Sequence, residues 1–311
     1  MLKIILFLSV AFISIVYNPF AESQVRIFIY PGENLTTIVD SLSAKEILIS
    51  RPVILSLARI LGWEREIKPG YYYLGRSEAP MQILLKLTKG GIDTIRVVIP
   101  EGFTLEQIGH RLSRDGLINL DIFKLLSQDQ EFIKSLDLGD IPSLEGFLFP
   151  DTYIFSIFDS EERIIMKMVR RFKEIIAKLN MGNSLYQKVI LASIVEKEAK
   201  IDSERAIIAS IFLKRLSTGR PLESCATVNY VLGSHHERLT YQELKINSPY
   251  NTYRYPGLPP TPICSPGLAS LRAVLNPRST DYLYFVSNGK GGHYFSRTYH
   301  EHLQAKRRLN G

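Results

Sequence analysis

Two cysteines, Cys225 and Cys264, are all that the 311 residues contain. That is too few for a disulfide framework or a four-cysteine zinc site. A single bridge is the only pairing open to them, and free cysteine otherwise behaves as a small buried residue. The histidines offer no metal centre either, because His235-His236 and the His300/His302 pair lack the HExxH spacing of a zinc protease. The glycine-rich string SNGKGGHYF lacks the GK[ST] ending of a phosphate loop and runs into a strand pattern, so it reads as a hairpin turn over Asn288 to Gly292. There is no internal repeat and no low-complexity tract, and no cofactor is implied. Charge is not clustered: the net +7 is spread along the chain, and only Lys306 to Arg308 form a basic run, which reads as a solvated end. A basic balance of this kind suits an anionic membrane surface or an acidic polymer as well as nucleic acid, and does not choose among them.

What is present is ordinary globular material, 45% hydrophobic and 22% charged, in a length that suits two domains. The one long hydrophobic run lies at the start. Lys3 precedes an uncharged stretch of about 17 residues from Ile4 to Phe20, at the lower limit for a bilayer span, and Ala21-Glu22-Ser23 passes as a cleavage site. Residues 1–24 are therefore expected to be a transmembrane anchor or a signal segment. Either reading puts Lys3 on the inner side of the cytoplasmic membrane and the remainder outside the cytoplasm, which removes nucleic acid as a partner.

The fold class expected is α+β. After the anchor, VRIFIY alternates as a strand, apolar residues from Leu35 toward Leu42 keep helical spacing, and Pro52 to Leu61 form a second helix. A strand over Tyr71 to Leu74 and a helix ended by Gly90-Gly91 complete a small module over residues 25–91. Residues 92–311 form a larger mixed α+β domain. It opens with a strand at Ile95 to Ile99 and a helix capped by Thr104, whose spacing to Gln107 is that of a capping box. Short helices follow between about 120 and 136, then a turn-bearing aromatic segment interrupted by Pro150, then strongly helical sequence from Glu161 to Leu216. Past Gly219 the chain is rich in proline, glycine, asparagine and tyrosine, and ends in the hairpin and a polar helix.

The residues with chemical promise begin in YQKVILASIVEKEAK, which is apolar almost all the way round and so predicts a buried helix. At about 100° per residue, Glu196 shares an arc with Val189 and Ala192 while Glu198 points nearly opposite, so the two are not a paired carboxylate. On an apolar arc Glu196 would lose hydration in its charged form and serve as a general acid near neutral pH. The competing reading is structural, with Glu196 salt-bridged to a cation of the next helix such as Arg205. In SPYNTYRYPGLPPTPICSPG, Asn251, Thr252 and Tyr253 are candidates for sugar contact, tyrosine offering a flat face and a hydroxyl; a packed structural loop is the alternative. His293, just after the hairpin turn, either faces a substrate or makes a structural hydrogen bond. Glu145 and Asp151 sit in turn sequence, where a carboxylate usually caps or accepts from backbone.

The strings PEGFTLEQI, LEGFLFPDTY, ASIVEKEA, SERAIIASIFLKRL, NTYRYPGLPPTPICSPGLASLRAVLNP and YLYFVSNGKGGHYF occur in the order and spacing of the YceG-like family, which the chain resembles over about residues 26–300. The resemblance implies a single-pass membrane protein with a module similar to LysM glycan-binding domains and a catalytic domain that cuts inside the glycan strands of peptidoglycan. It implies lytic transglycosylase chemistry, a partnership with peptidoglycan synthases on nascent strands, and a catalytic glutamate that falls on Glu196. One departure stands out: many members carry an Asp-Pro pair where this chain has Cys225-Ala226. A non-catalytic scaffold that binds peptidoglycan at the membrane is the rival expectation.

Overall fold

The computed structural model describes residues 24–310 except 49, 77, 92, 93, 235, 237 and 238. The anchor reading of residues 1–24 thus lies outside the described residues, apart from Gln24. Among the described residues no helix is long and apolar enough to cross a membrane. The chain divides into two compact units, one running to Ile95 and taking in Ser156–Phe158, the other holding Arg96–Phe155 and Asp159–Gly311. Among the described residues the architecture is mixed α+β, with many helices and three two-stranded sheets.

In the first unit β1 (Gln24–Ile29) is followed by α1 (Leu35–Ala44), α2 (Arg51–Ile60), β2 (Gly70–Gly75) and α3 (Pro80–Lys89). The Asn34 side chain accepts from the Thr37 N–H and starts α1, and Pro52 in the first turn of α2 has no hydrogen bond to lose there. β1 and β2 pair antiparallel from Gln24↔Gly75 to Ile29↔Gly70. Alternation then turns Ile27, Ile29, Tyr72 and Leu74 inward, against Ile38, Val39 and Leu42 of α1, Ile54 of α2, and Ile83, Leu84 and Leu87 of α3.

Strand β3 (Thr94–Val98), whose last three residues open the second unit, pairs with β4 (Thr152–Ser156). Between them lie α4 (Leu105–Arg114), α5 (Leu120–Leu126) and α6 (Gln130–Ser135). Thr104 and Gln107 form the predicted reciprocal box at the start of α4, with bonds of 3.2 and 3.0 Å. Three long helices follow: α7 (Glu161–Leu179), α8 (Leu185–Glu198) and α9 (Asp202–Ser217). Then come α10 (Cys225–Leu232), α11 (Leu268–Leu275), the hairpin β5 (Tyr284–Ser287) and β6 (His293–Ser296), and α12 (Tyr299–Asn310). The sequence reading gave the stretch after Gly219 no helix before the last one, and α10 and α11 correct it.

Helix α8 is the centre of this unit. Every residue from Val189 to Val195 is buried, as its all-round apolarity requires. Helices α8, α9 and α11 pack on one another, and α10 packs on α8. The proline-rich loop ahead of α11 lies along α8: Tyr186 donates to the Pro260 carbonyl at 2.6 Å, the Ile263 N–H donates to Ser193 Oγ at 3.0 Å, and the Cys264 thiol to the Ser193 carbonyl at 3.3 Å. Gly146 permits a second segment to close over that loop. It holds φ +85°, and a Cβ there would stand 2.5 Å from Pro262 Cβ.

Candidate active site

Glu196 ends up where α8, α9 and α11 meet. Its side chain is only 6% exposed. Oε1 accepts from Arg205 of α9 at 3.2 Å; Oε2 accepts from the Gly267 N–H at 2.9 Å and from the Ser270 hydroxyl of α11 at 2.8 Å. The N–H groups at a helix start carry partial positive charge and suit an anion. Arg205 also donates to Ser270 Oγ at 2.7 Å and to Asp202 at 2.9 Å. Burial works against the arginine cation, yet the hydrogen bond to Asp202 and the charge of Glu196 leave it held above its ordinary value. The apolar arc expected around Glu196 is therefore only half the environment. Helix α8 supplies burial, but neighbouring elements supply three donors, one of them the cation Arg205, so the salt bridge to Arg205 that competed with the acid reading is present.

Glu198 points the other way, as the helix geometry requires, and meets the start of α10. It accepts from the Ser224 hydroxyl at 2.5 Å and the Ala226 N–H at 3.4 Å. The Cys225 thiol there lies 3.0 Å from the Tyr253 hydroxyl, and burial raises the pKa of both. Cys225 and Cys264 are both free.

The other residues singled out in the sequence take up supporting positions. Asn251 is fully buried; its amide donates to the Leu244 and Ile246 carbonyls, both at 2.9 Å, and accepts from the Tyr253 N–H at 3.1 Å. It shapes its own loop, leaving no amide donor for a sugar. Thr252, 1% exposed, bonds Thr227 and the Ser224 N–H. His293 Nδ1 lies 2.7 Å from Glu204 Oε2, and the same carboxylate accepts the His293 N–H at 3.0 Å, which fastens the hairpin to α9. Asp151 accepts from the Thr152 N–H and pairs with Arg171, and Glu145 receives the Leu105 N–H at the start of α4. Both are the backbone-accepting roles expected of turn carboxylates.

One acidic residue of the site was missed. Glu101, in the turn between β3 and α4, rests its carboxylate against Gly267: a Cβ on that glycine would lie 1.9 Å from Glu101 Oε1. It accepts from the Leu268 N–H, one residue beyond the N–H that serves Glu196. Partial burial, then the charge of Glu196, raises its pKa, with Arg205 opposing. The sequence signal was the PEGF string itself, but nothing local ties Glu101 to a helix end more than 160 residues away. Among the described residues no group of histidine, cysteine and acidic side chains could hold a metal ion.

This constellation draws on four of the strings that carry the resemblance to the YceG-like family. The chain is 31% identical over 306 residues to the endolytic murein transglycosylase of Bacillus subtilis (strain 168), covering 92% of this chain and 85% of that protein. It is 29% identical over 325 residues to the endolytic murein transglycosylase of Streptococcus pneumoniae (strain R6), covering 91% of this chain and 58% of that longer protein. The crystal structure of the yceG-like protein lmo1499 from Listeria monocytogenes superposes with a TM-score of 0.62 at 31% identity, covering 91% of this chain and 99% of that one. The model of the YceG-like family matches residues 27–308, and the chain belongs to that family.

Proposed function

We propose that the chain is an endolytic murein transglycosylase, which cuts the MurNAc–GlcNAc bond inside glycan strands of peptidoglycan and leaves 1,6-anhydroMurNAc ends. The observation that carries this reading is the buried carboxylate of Glu196, fixed from three helices within a chain so closely related to proteins of that name. The reaction needs an acid to protonate the departing glycosidic oxygen and a base to take the proton of the C6 hydroxyl that closes the anhydro ring. The substrate's own hydroxyl replaces the water or covalent carboxylate of an ordinary glycosidase. Glu196 is the residue assigned to this acid–base work. Its three fixed donors give it a defined position without a mobile side chain. Tyr253, half-buried, is the sugar contact; Asn251 and His293 serve the site by bracing the loop and the hairpin.

The rest of the chain fits this task. Residues 1–24 anchor it in the cytoplasmic membrane, residues 25–91 hold glycan in the manner of a LysM module, and residues 92–311 act on strands outside the cytoplasm as they leave the synthases, ending elongation. The first unit has a groove of about 810 Å³ lined in part by Tyr30, Asn34, Thr37, Glu64 and Arg65, a polar surface suited to a sugar chain.

The test is product analysis. Wild type acting on purified peptidoglycan is expected to release 1,6-anhydroMurNAc ends, and Glu196→Gln to lower that rate by about 100- to 10,000-fold while keeping the folded circular-dichroism spectrum. Reducing ends would make the protein a hydrolase. Strand binding with no cleavage by wild type would make it a scaffold.

A further inference from the structure

Glu196 has a geometric difficulty as sole acid. All three of its partners are donors, and both of its oxygens are engaged as acceptors. The one acceptor site left, on Oε1, is open to a substrate hydroxyl, so this carboxylate is set to accept a proton from substrate rather than to donate one. Glu101 has no such difficulty. It belongs to an exposed turn, and the groups around its carboxylate are the Leu268 N–H and the charges of Glu196 on α8 and of Arg205 and Asp202 on α9.

The turn that carries it is firmly held. The Gly102 N–H donates to the Ser265 carbonyl at 2.9 Å, the Ser265 N–H to the Phe103 carbonyl at 2.8 Å, and Lys197 Nζ to the Gly102 carbonyl at 3.3 Å. A Cβ on Gly102 would lie 3.7 Å from Glu196 Cγ, so the turn sits against the end of α8. Adjacent N–H groups at the start of α11 thus face two carboxylates, one mostly buried and holding three donors, the other beside it in an exposed turn. Two carboxyls in environments that differ this much divide acid and base roles between them.

We infer that Glu101 is a second catalytic carboxyl of this site and delivers the proton to the departing glycosidic oxygen, while Glu196 acts as the base. The inference rests on the transglycosylase reading above and deepens it. In the step, the bond from MurNAc C1 to the GlcNAc oxygen breaks and that oxygen takes the Glu101 proton. MurNAc O6 bonds to C1 and its proton passes to Glu196. Proton exchange with solvent then resets the pair, so no water, oxidant or other reactant is consumed. Partial burial and the neighbouring Glu196 charge both favour the proton on Glu101 before the step.

The experiment compares two substrates. One is the natural glycan strand; the other is a glycan oligomer ending in a nitrophenyl MurNAc glycoside, whose leaving group departs without protonation. For Glu101→Gln we expect kcat on natural strands to fall at least about 100-fold with KM little changed, activity on the nitrophenyl substrate to stay within a few-fold of wild type, and the alkaline limb of the pH–rate profile to vanish. Glu196→Gln should lose both activities. Gly267→Ala, which pushes the Glu101 carboxylate aside without removing it, should reproduce the Glu101→Gln pattern, and a thermal melt of each variant establishes that it is folded. The inference is overturned if Glu101→Gln keeps wild-type kcat on natural strands, or if it loses both substrates equally. If wild type makes no anhydro ends, the parent reading fails first, a result separable from either of these.

Discussion

Two carboxylates of the second unit are buried at the starts of helices, and they could hardly be treated more differently. Glu196, at the start of α11, has Arg205 at 3.2 Å and a serine hydroxyl besides its backbone donor. Glu145, at the start of α4, is 5% exposed and receives the Leu105 N–H at 3.0 Å and the Tyr230 hydroxyl at 3.1 Å. Among the described residues no cation pairs with it. Burial consequently pushes Glu145 up to about 7, with hydrogen bonds from Leu105, Tyr230 and Gly146 opposing. Burial alone therefore does not mark a reactive carboxyl. What separates the two is the company: Glu196 stands beside a second acidic group and an arginine, whereas Glu145 ties α4 to α10 through Tyr230.

The sharpest way to break the contrast is to give Glu196 the surroundings of Glu145. Arg205→Met keeps the length of the side chain and removes its charge, leaving Glu196 buried without a cation. Removing one partner of a buried pair costs about 3 kcal/mol or more. A urea melt should show a lower midpoint at an unchanged slope. Adding Glu196→Gln to Arg205→Met should recover a large share of that loss, because no unpaired charge then remains. If the double variant is as unstable as the sum of the two single ones, the pair contributes nothing as a pair.

How far the sequence discloses these two sites follows from the range of the interactions. The start of α4 is written locally: Thr104 and Gln107 are three residues apart, and their box forms as the spacing predicts. The divergence of Glu196 and Glu198 is equally local, since it follows from 100° per residue along one helix. The start of α11 is not local. Gly267 supplies no capping side chain, the helix is eight residues long, and proline and glycine precede it, so nothing nearby announces it. Its caps are carboxylates from the PEGF turn and from α8. The same long range hid Glu101; the Asn251 contacts are local, five and seven residues back, but they lie in an irregular loop with no repeating pattern to announce them. Arg205 was legible as one alternative, because α8 and α9 are neighbours in sequence.

Without a cation beside it, Glu145 makes stability depend on pH. A carboxyl whose folded-state value stands near 7, against 4.5 in the unfolded chain, binds its proton more tightly when folded. Its contribution is complete below pH 4.5 and is lost as pH rises toward 7, an effect on the order of 3 kcal/mol over that window. Glu145→Gln, which keeps an acceptor for the Leu105 N–H but does not titrate, should be nearly neutral at pH 4.5 and relatively stabilising at pH 7.5. Denaturation of both proteins at the two pH values checks it. A stability difference that does not change with pH would mean that Glu145 carries no such proton.

The smallest effect distinguishes capping from carboxylate burial at the same helix. Thr104 Oγ accepts the Gln107 N–H at 3.2 Å in an exposed position, and Gln107 Oε1 returns a bond to the Thr104 N–H at 3.0 Å. The Leu105 N–H between them belongs to Glu145. Thr104→Ala removes one acceptor at the surface, where water replaces it, and should cost about 1 kcal/mol. Because Glu145 keeps its own donor in this variant, the loss should be the same at pH 4.5 and pH 7.5. A Thr104→Ala penalty that grows with pH would mean the two caps are coupled, and the start of α4 would then act as one titrating unit.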